Sequence, residues 1–168
     1  MIIGICGLIG SGKGTVADML VEQGFMKVSF ADKLKDGVAT IFGWDREMLE
    51  GDTDKSRSWR EQEDVFWTEE TGRSITPRIV LQEFGTECMR EGFYKGIWVS
   101  LLKKYLLDNP GNSVVPDVRF RNEQNMIREL GGEIWQVKRG QDPDWFPRAI
   151  IDNANPDTSN LMSGYDVH

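Results

Sequence analysis

The amino-acid sequence predicts an α/β fold in which a parallel β-sheet is flanked by helices in three layers. Short apolar segments typical of buried strands alternate with segments whose apolar residues recur at helical spacing. A glycine-rich stretch, residues 7–15, joins the first predicted strand to the first predicted helix. Because parallel strands are joined by crossover helices, this alternation favours right-handed crossovers that cover both faces of the sheet.

The strands and helices can be assigned in chain order. Four short apolar segments predict buried strands at residues 2–6, 25–30, 113–116 and 134–137. Helical periodicity predicts helices at residues 13–23, 31–42, 77–89, 96–107 and 122–130. Thr76-Pro77 forms a typical helix start, and Gly24 and Gly131-Gly132 are typical helix ends.

Between residues 43 and about 76, both patterns give way to charged, turn-forming and tryptophan residues. This segment is longer than an ordinary connection, and it predicts a substrate-side insertion with some helix. Trp44, Trp59 and Trp67 either anchor the packing of this insertion or stack on the base of a substrate. The length of 168 residues predicts a single domain spanning 1–168 that contains the insertion.

Composition limits the partners of the chain. The net charge of −7 and a pI near 4.8 argue against a nucleic-acid polymer, which requires a broad basic surface. No apolar run is long enough to span a membrane, and the N-terminus lacks the features of a secretory signal. We therefore expect a cytoplasmic protein with a small-molecule partner. A homodimer is compatible with the sequence.

The glycine-rich stretch carries the clearest chemical motif. Gly7, Gly12 and Lys13 match G-x-x-x-x-G-K between a predicted strand and a predicted helix. Glycines let backbone N–H groups surround phosphate oxygens, and the start of the helix adds positive charge. Glycine-rich turns also occur without a ligand, but the lysine in register favours binding of a nucleoside triphosphate.

A second motif, PDVRFRNE, follows the third predicted strand. Asp117 ends that strand, and Arg119 and Arg121 come directly after it, at the edge where doubly wound sheets bind ligands. The carboxylate could hold Mg²⁺ through water or orient an acceptor oxygen, and the guanidinium groups could bind phosphate. Alternatively, Asp117 caps a turn and the arginines are solvated.

A third motif, SFADKLKDGVA, runs from a strand end into a helix. Lys35 lies in the first turns of that helix. It could contact the phosphate of an acceptor, or it could be an ordinary exposed helix lysine.

The loop GLIGSGKGT resembles that of adenylate-kinase-like nucleoside monophosphate kinases more than that of switch GTPases, because Gly14 separates Lys13 from Thr15. The resemblance implies that Thr15 supports a phosphate and that Mg²⁺ is held largely through water and phosphates. The sequence also lacks the N-K-x-D motif that a G-protein would use to select guanine.

Together with LQEFGTE at 81–87, GIWVSLL at 96–102 and VKRGQ at 137–141, these motifs resemble the phage-type deoxynucleoside monophosphate kinases of the P-loop superfamily. Dephospho-coenzyme A kinase and phosphomevalonate kinase are more distant relatives. The resemblance implies transfer of the γ-phosphoryl group of ATP to a deoxynucleoside monophosphate with Mg²⁺, in the host cytoplasm if the protein is phage-encoded.

The same resemblance assigns roles to individual residues. It implies that Asp117, with Mg²⁺ bound through water, and Arg119 stand between donor and acceptor, and that Lys35 lies on the acceptor side. Arg119 and Arg121 are also expected to bind the substrate, since their guanidinium groups could bind its phosphate. It places a lid loop at about 138–150, with Arg139 as its arginine and Arg148 as a rival. The implied phosphate cradle consists of Gly10, Ser11, Gly12, Lys13, Gly14 and Thr15.

One departure and two rival functions accompany this resemblance. Family members generally continue past residues 165–168 into a further strand and helix near the donor base, so we expect the adenine site to be open, incomplete or truncated here. The first rival is a kinase for another phosphorylated small molecule, of the dephospho-coenzyme A or phosphomevalonate type. The second is a non-catalytic ATP-binding adaptor that uses the tryptophan-rich insertion as an interface.

Overall fold

The structure, a computed structural model, describes residues 1–8 and 10–140. The chain divides into two compact units. The first unit comprises residues 1–30 and those from 99 onward, and the second unit comprises residues 31–98. The predicted insertion at 43–76 falls within the second unit, and the single domain spanning 1–168 stays a prediction.

The first unit is built on a parallel sheet of four strands in the order β2-β3-β1-β4. In register, Ile3 of β1 lies opposite Val114 of β3 on one side and Glu133 of β4 on the other. This confirms the predicted α/β fold with a parallel sheet flanked by helices. The strands are β1 (Ile2–Cys6), β2 (Met26–Lys27), β3 (Ser113–Val115) and β4 (Glu133–Gln136).

Helices are present in both units. The first unit contains α1 and most of α6, together with α7, and the second contains α2 to α5 and a π-helix, Phe84–Glu91, that continues α5. None of the helices in the described ranges combines the length and apolarity needed to cross a bilayer. The α-helices are α1 (Lys13–Glu22), α2 (Asp32–Phe42), α3 (Asp54–Arg60), α4 (Val65–Thr71), α5 (Pro77–Glu83), α6 (Ile97–Asp108) and α7 (Arg121–Glu129).

Two apolar clusters hold the helices of the first unit against the sheet. Ala17 and Leu20 of α1 pack with Ile3, Ile5 and Val114 in one cluster. In the other, side chains of α6 and α7 pack with Val115. That second cluster consists of Val28, Phe30, Leu102, Leu106, Val115, Val118, Met126 and Ile127. Because neighbouring residues of a strand point to opposite faces, Val114 and Val115 belong to different clusters.

The second unit has its own apolar core, formed by Val38, Leu49, Ile75, Val80 and Leu81. The three tryptophans of the insertion pack around this core together with Phe42. The ring centroids of Trp44 and Phe42 are 4.7 Å apart in a stacked geometry, and Trp44 and Trp59 meet edge to face at 5.9 Å. The packing interpretation of the tryptophans therefore agrees with these contacts.

Two predicted elements differ from the structure. The strand predicted at 25–30 is reduced to Met26–Lys27, because Ser29 and Phe30 leave the ladder and donate hydrogen bonds to Asp117 instead. The helix predicted at 77–89 becomes a π-helix after Glu83. In that segment, the indole N–H of Trp98 donates to the carbonyl oxygen of Gly85 at 3.0 Å, and such π-helical stretches are rare.

Candidate functional site

The carboxyl ends of the four parallel strands lie at one edge of the sheet. The loop of residues 7–15 follows β1, and Asp117 follows β3. Val118 N–H donates to the carbonyl oxygen of Ile5 at 3.3 Å, which keeps the chain after β3 beside the end of β1. The two motifs that the sequence singled out are therefore neighbours at this edge.

Gly7 and Gly12 set the shape of the loop between β1 and α1, which we call the glycine loop (residues 7–15). A Cβ atom on Gly7 would lie 2.4 Å from the carbonyl oxygen of Val137, so the close approach of these two segments excludes a side chain. Gly12 has φ of 98° and caps α1 without a side-chain hydrogen bond. A helix start without a side-chain cap offers its N–H groups to an anion.

Open space lies over the glycine loop. A Cβ atom built on Gly10, Gly12 or Gly14 would meet no atom of the described chain within 4 Å. Thr15, in the first turn of α1, is exposed. The loop therefore offers backbone N–H groups and a hydroxyl without side chains that would obstruct a ligand.

Lys13 and Ser11 provide the polar side chains of the glycine loop. The Lys13 ammonium group donates to the carbonyl oxygens of Gly7 at 2.6 Å and Leu8 at 2.8 Å, so its charge lies over the loop. The Ser11 hydroxyl is buried and has no hydrogen-bond partner among the residues that the structure describes. A buried hydroxyl without a partner is costly, and an incoming acceptor oxygen would remove that cost.

Asp117 is held by the segment that follows β2. The Ser29 hydroxyl donates to Asp117 Oδ2 at 2.6 Å, and the backbone N–H of Phe30 donates to Oδ1 at 3.3 Å. Both carboxylate oxygens are thereby fixed in direction, although each keeps a lone pair for a further donor or a metal-bound water. Ser29 was not among the site residues predicted from the sequence, although it lies within the motif SFADKLKDGVA.

Arg119 and Arg121 lie where α7 begins. Arg119 is exposed, and Arg121 is half-buried as the first residue of α7. The buried carboxylate of Glu123 accepts the backbone N–H groups of Arg119 at 2.7 Å and Phe120 at 2.9 Å. Glu123 thus fixes the backbone at the start of α7, next to both arginines. Glu123 was not predicted from the sequence as a site residue, although a glutamate three residues into a helix commonly accepts such backbone hydrogen bonds.

Arg139 follows the end of β4 in the chain. Val137 N–H donates to the carbonyl oxygen of Cys6 at 2.8 Å, so this segment starts directly against the glycine loop. Arg139 itself is exposed. The rival Arg148 and most of the predicted lid at 138–150 lie outside the described residues.

Lys35 belongs to a charged network in the second unit. Its side chain is only 13% exposed, and its ammonium group lies 2.5 Å from Glu50 Oε2. Arg46 contacts the other oxygen of Glu50 and lies 2.8 Å from Asp36. Burial acts to raise the pKa of Glu50, but the hydrogen bonds from Lys35 and Arg46 outweigh it and the pKa is lowered.

The described residues contain no cluster of three or more histidine, cysteine, aspartate or glutamate side chains that could hold a metal ion. At the edge of the sheet, Asp117 is the carboxylate next to the glycine loop. A magnesium ion there would take most of its ligands from water and phosphate oxygens, as this ion commonly does.

No protein-family model matches the chain. A protein of Acanthamoeba polyphaga mimivirus, which carries the predicted name deoxynucleotide monophosphate kinase, is 32% identical over 182 aligned positions that cover 99% of this chain and 86% of the relative. The deoxynucleoside-5′-monophosphate kinase of Escherichia phage T5 is 41% identical over 56 residues, covering 33% of this chain and 22% of the relative.

The similarity to the mimivirus protein extends over nearly the whole chain, so it includes the glycine loop and the segment around Asp117 and Arg119. It is therefore a similarity of whole proteins and not of one widespread phosphate-binding motif. With the parallel sheet and the loop geometry described above, it identifies this chain as a member of the deoxynucleoside monophosphate kinase family.

Proposed function

We propose that the protein transfers the γ-phosphoryl group of ATP to a deoxynucleoside monophosphate, with Mg²⁺, and releases the diphosphate. The observation that carries this proposal is the juxtaposition of two features at one sheet edge. The glycine loop has open space and a buried hydroxyl without a described partner, and the oriented carboxylate of Asp117 lies beside it. Family membership supports the same activity.

The donor would be held by the first unit. Backbone N–H groups of Gly10, Gly12 and Gly14 and the Ser11 and Thr15 hydroxyls would bind phosphate oxygens, and Lys13 would exchange its loop carbonyls for phosphate. The open space over the glycines and the Ser11 hydroxyl fit such a ligand. When bound, Mg²⁺ would neutralise phosphate charge, and Asp117 would orient it through water.

Phosphoryl transfer requires two anionic substrates to be held in line while their repulsion is offset. We propose that Arg119 and Arg121 supply positive charge at the start of α7, where Glu123 fixes their backbone. Arg139 would add charge from the lid and help to exclude water, since water would otherwise compete for the phosphoryl group. Lys35 would bind an acceptor phosphate by releasing the carboxylate of Glu50, its partner in the structure.

A coupled assay for ADP formation, run with ATP, Mg²⁺ and each deoxy- and ribonucleoside monophosphate, tests the proposal. We expect ADP release that requires a deoxynucleoside monophosphate and a matching diphosphate product. Turnover only with dephospho-coenzyme A or phosphomevalonate would replace the proposed acceptor, and tight ATP binding without turnover would support the adaptor function. A cytoplasmic location and a homodimer stay predictions.

A further inference from the structure

Arg60 stands out among the charged side chains of the second unit. It is the last residue of α3 and is half-buried. Its guanidinium group donates one hydrogen bond to a described residue, to the backbone carbonyl oxygen of Glu50 at 3.3 Å. No carboxylate within the described ranges lies at ion-pair distance from it. A half-buried guanidinium has five N–H donors to satisfy, so this one has capacity for an anion.

The chain makes room for this guanidinium. Gly51 has φ of 67°, and a Cβ atom there would lie 2.0 Å from Arg60 Nη1 and 3.0 Å from Cζ. Any other residue at position 51 would displace the guanidinium. The glycine at position 51 therefore allows the backbone to approach the Arg60 guanidinium closely.

The two nearest carboxylates are occupied elsewhere. Glu50 directs its side chain to Lys35 and Arg46, and Glu61 accepts from Arg78 at 2.8 Å. The bond between Glu61 and Arg78 brings a second guanidinium from the start of α5 next to the end of α3. Burial and then the proximity of Arg78 lower the pKa of Arg60, as expected for a cation beside a like charge.

A pocket of about 340 Å³ adjoins the two arginines along the chain. Trp59 and Pro77, which line it, directly precede Arg60 and Arg78. Phe66, which is 60% exposed, contributes a second aromatic ring, and Gln62 and Glu63 contribute polar groups. Two aromatic rings among polar groups suit a nucleobase, which has both a π-face and hydrogen-bonding edges, and paired guanidiniums suit a phosphate.

We propose that Arg60, together with Arg78, binds the phosphate group of the acceptor nucleotide, with the base in the adjoining pocket. This inference rests on the proposed function and names residues for its acceptor side. A phosphate dianion would give the Arg60 guanidinium the anionic partner that the described residues do not provide. Arg78 would contribute its remaining donors while keeping its bond to Glu61.

Isothermal titration calorimetry without ATP tests the site directly. The ligands are a deoxynucleoside 5′-monophosphate, the matching deoxynucleoside and inorganic phosphate. We expect Arg60→Ala to weaken monophosphate binding about 10- to 100-fold, the range for lost hydrogen bonds to a charged group. The deoxynucleoside lacks the phosphate, so its affinity should be the same for wild type and variant.

Arg57→Ala is the matched control, because Arg57 lies on the same helix, is exposed and pairs with Asp54. It should leave all affinities unchanged. Unchanged monophosphate binding in Arg60→Ala, or an equal loss in Arg57→Ala, would overturn the proposal. Should Arg60→Ala fail to fold, Arg60→Lys and Arg78→Ala carry the same test, and each should weaken binding of the monophosphate but not of the deoxynucleoside.

Failure of this site can be distinguished from failure of the proposed function. If the wild type phosphorylates deoxynucleoside monophosphates and Arg60→Ala leaves the KM for them unchanged, the site is wrong and the function stands. If the wild type phosphorylates none of them but binds monophosphate in an Arg60-dependent way, the site stands and the function is wrong.

Discussion

Single hydrogen bonds set the orientation of the groups at the sheet edge. The carboxylate of Asp117 could rotate about its side-chain bonds, but the Ser29 hydroxyl at 2.6 Å and the Phe30 N–H at 3.3 Å each hold one oxygen. A carboxylate that is already oriented needs less reorganisation to direct a metal-bound water or an acceptor oxygen. Ser29 is therefore a positioning residue for Asp117.

Ser29→Ala tests this positioning role. We expect kcat to fall about 10- to 100-fold, the equivalent of one lost hydrogen bond to a charged group, with the KM for ATP nearly unchanged. Ser29→Thr keeps the hydroxyl and should restore most of the activity. Ser100→Ala, at an exposed position on α6, is the control. Equal losses in Ser29→Ala and Ser29→Thr would argue against a role for the hydroxyl.

Lys13 gives a second prediction at this scale. Its side chain is half-buried and donates to the carbonyl oxygens of Gly7 and Leu8, and we expect its loss to cost little stability. Lys13→Ala should lower kcat by about 100-fold or more, because it removes a charge aimed at the developing phosphate charge. Steady-state kinetics and circular dichroism measure both effects. Lys104→Ala, at a 75% exposed lysine, should retain full activity, and near-normal turnover in Lys13→Ala would refute the assignment.

Elements of the second unit are connected by charge as well as by apolar packing. Arg46, in the turn after α2, contacts Asp36 of that helix and Glu50 further along the chain. Burial opposes ionisation of both carboxyls, but hydrogen bonds from Arg46 and from the neighbouring lysines outweigh it, so the pKa values of Asp36 and Glu50 are lowered. The folded state then binds fewer protons than the unfolded state at these positions.

This network predicts a pH-dependent contribution to stability. A carboxyl whose pKa is lowered on folding stabilises the protein above its unfolded pKa, near 4, and loses that effect as pH falls through the folded pKa. Arg46→Gln should reduce the free energy of unfolding by about 1 kcal/mol at neutral pH, a modest value because the carboxylates are partly exposed to screening solvent.

Urea unfolding at a series of pH values measures this effect. The difference between wild type and Arg46→Gln should shrink as pH falls below about 4, and it should vanish once pH lies below the lowered folded-state pKa values, where the carboxyls are protonated in both states. Arg57→Gln, at an exposed pair with Asp54, should show little difference from wild type at any pH. A constant difference across the whole range would contradict the electrostatic origin.

At the scale of elements, local patterns were sufficient for some predictions and insufficient for others. The bounds of β1 and the start of α1 follow from an apolar run and a glycine-rich motif, and both match the structure. The bond between Ser29 and Asp117 joins residues 88 positions apart, and no local pattern encodes it. The same holds for the outside hydrogen bond in the π-helix segment, whose apolar spacing resembles that of an α-helix.

The whole molecule combines an acidic composition with local positive charge. Its net charge is −7, yet the glycine loop, the start of α7 and the end of α3 each present lysine or arginine. Such a distribution suits small anionic ligands held at defined places more than a long polyanion. The rule that parallel strands end at one edge was sufficient to predict that Asp117 lies near the glycine loop, whereas Arg60 depends on packing within the second unit.

Donor and acceptor should therefore protect different parts of the chain from hydrogen exchange. Mg-ADP should slow exchange in residues 7–22, and a deoxynucleoside monophosphate should slow exchange in 46–60 and 77–83, because bound ligand stabilises the segments it contacts against local opening. Lys13→Ala should abolish the first pattern and leave the second, and Arg60→Ala should do the reverse. If the monophosphate protected only residues of the first unit, the acceptor would have to be reassigned to Arg119 and Arg121.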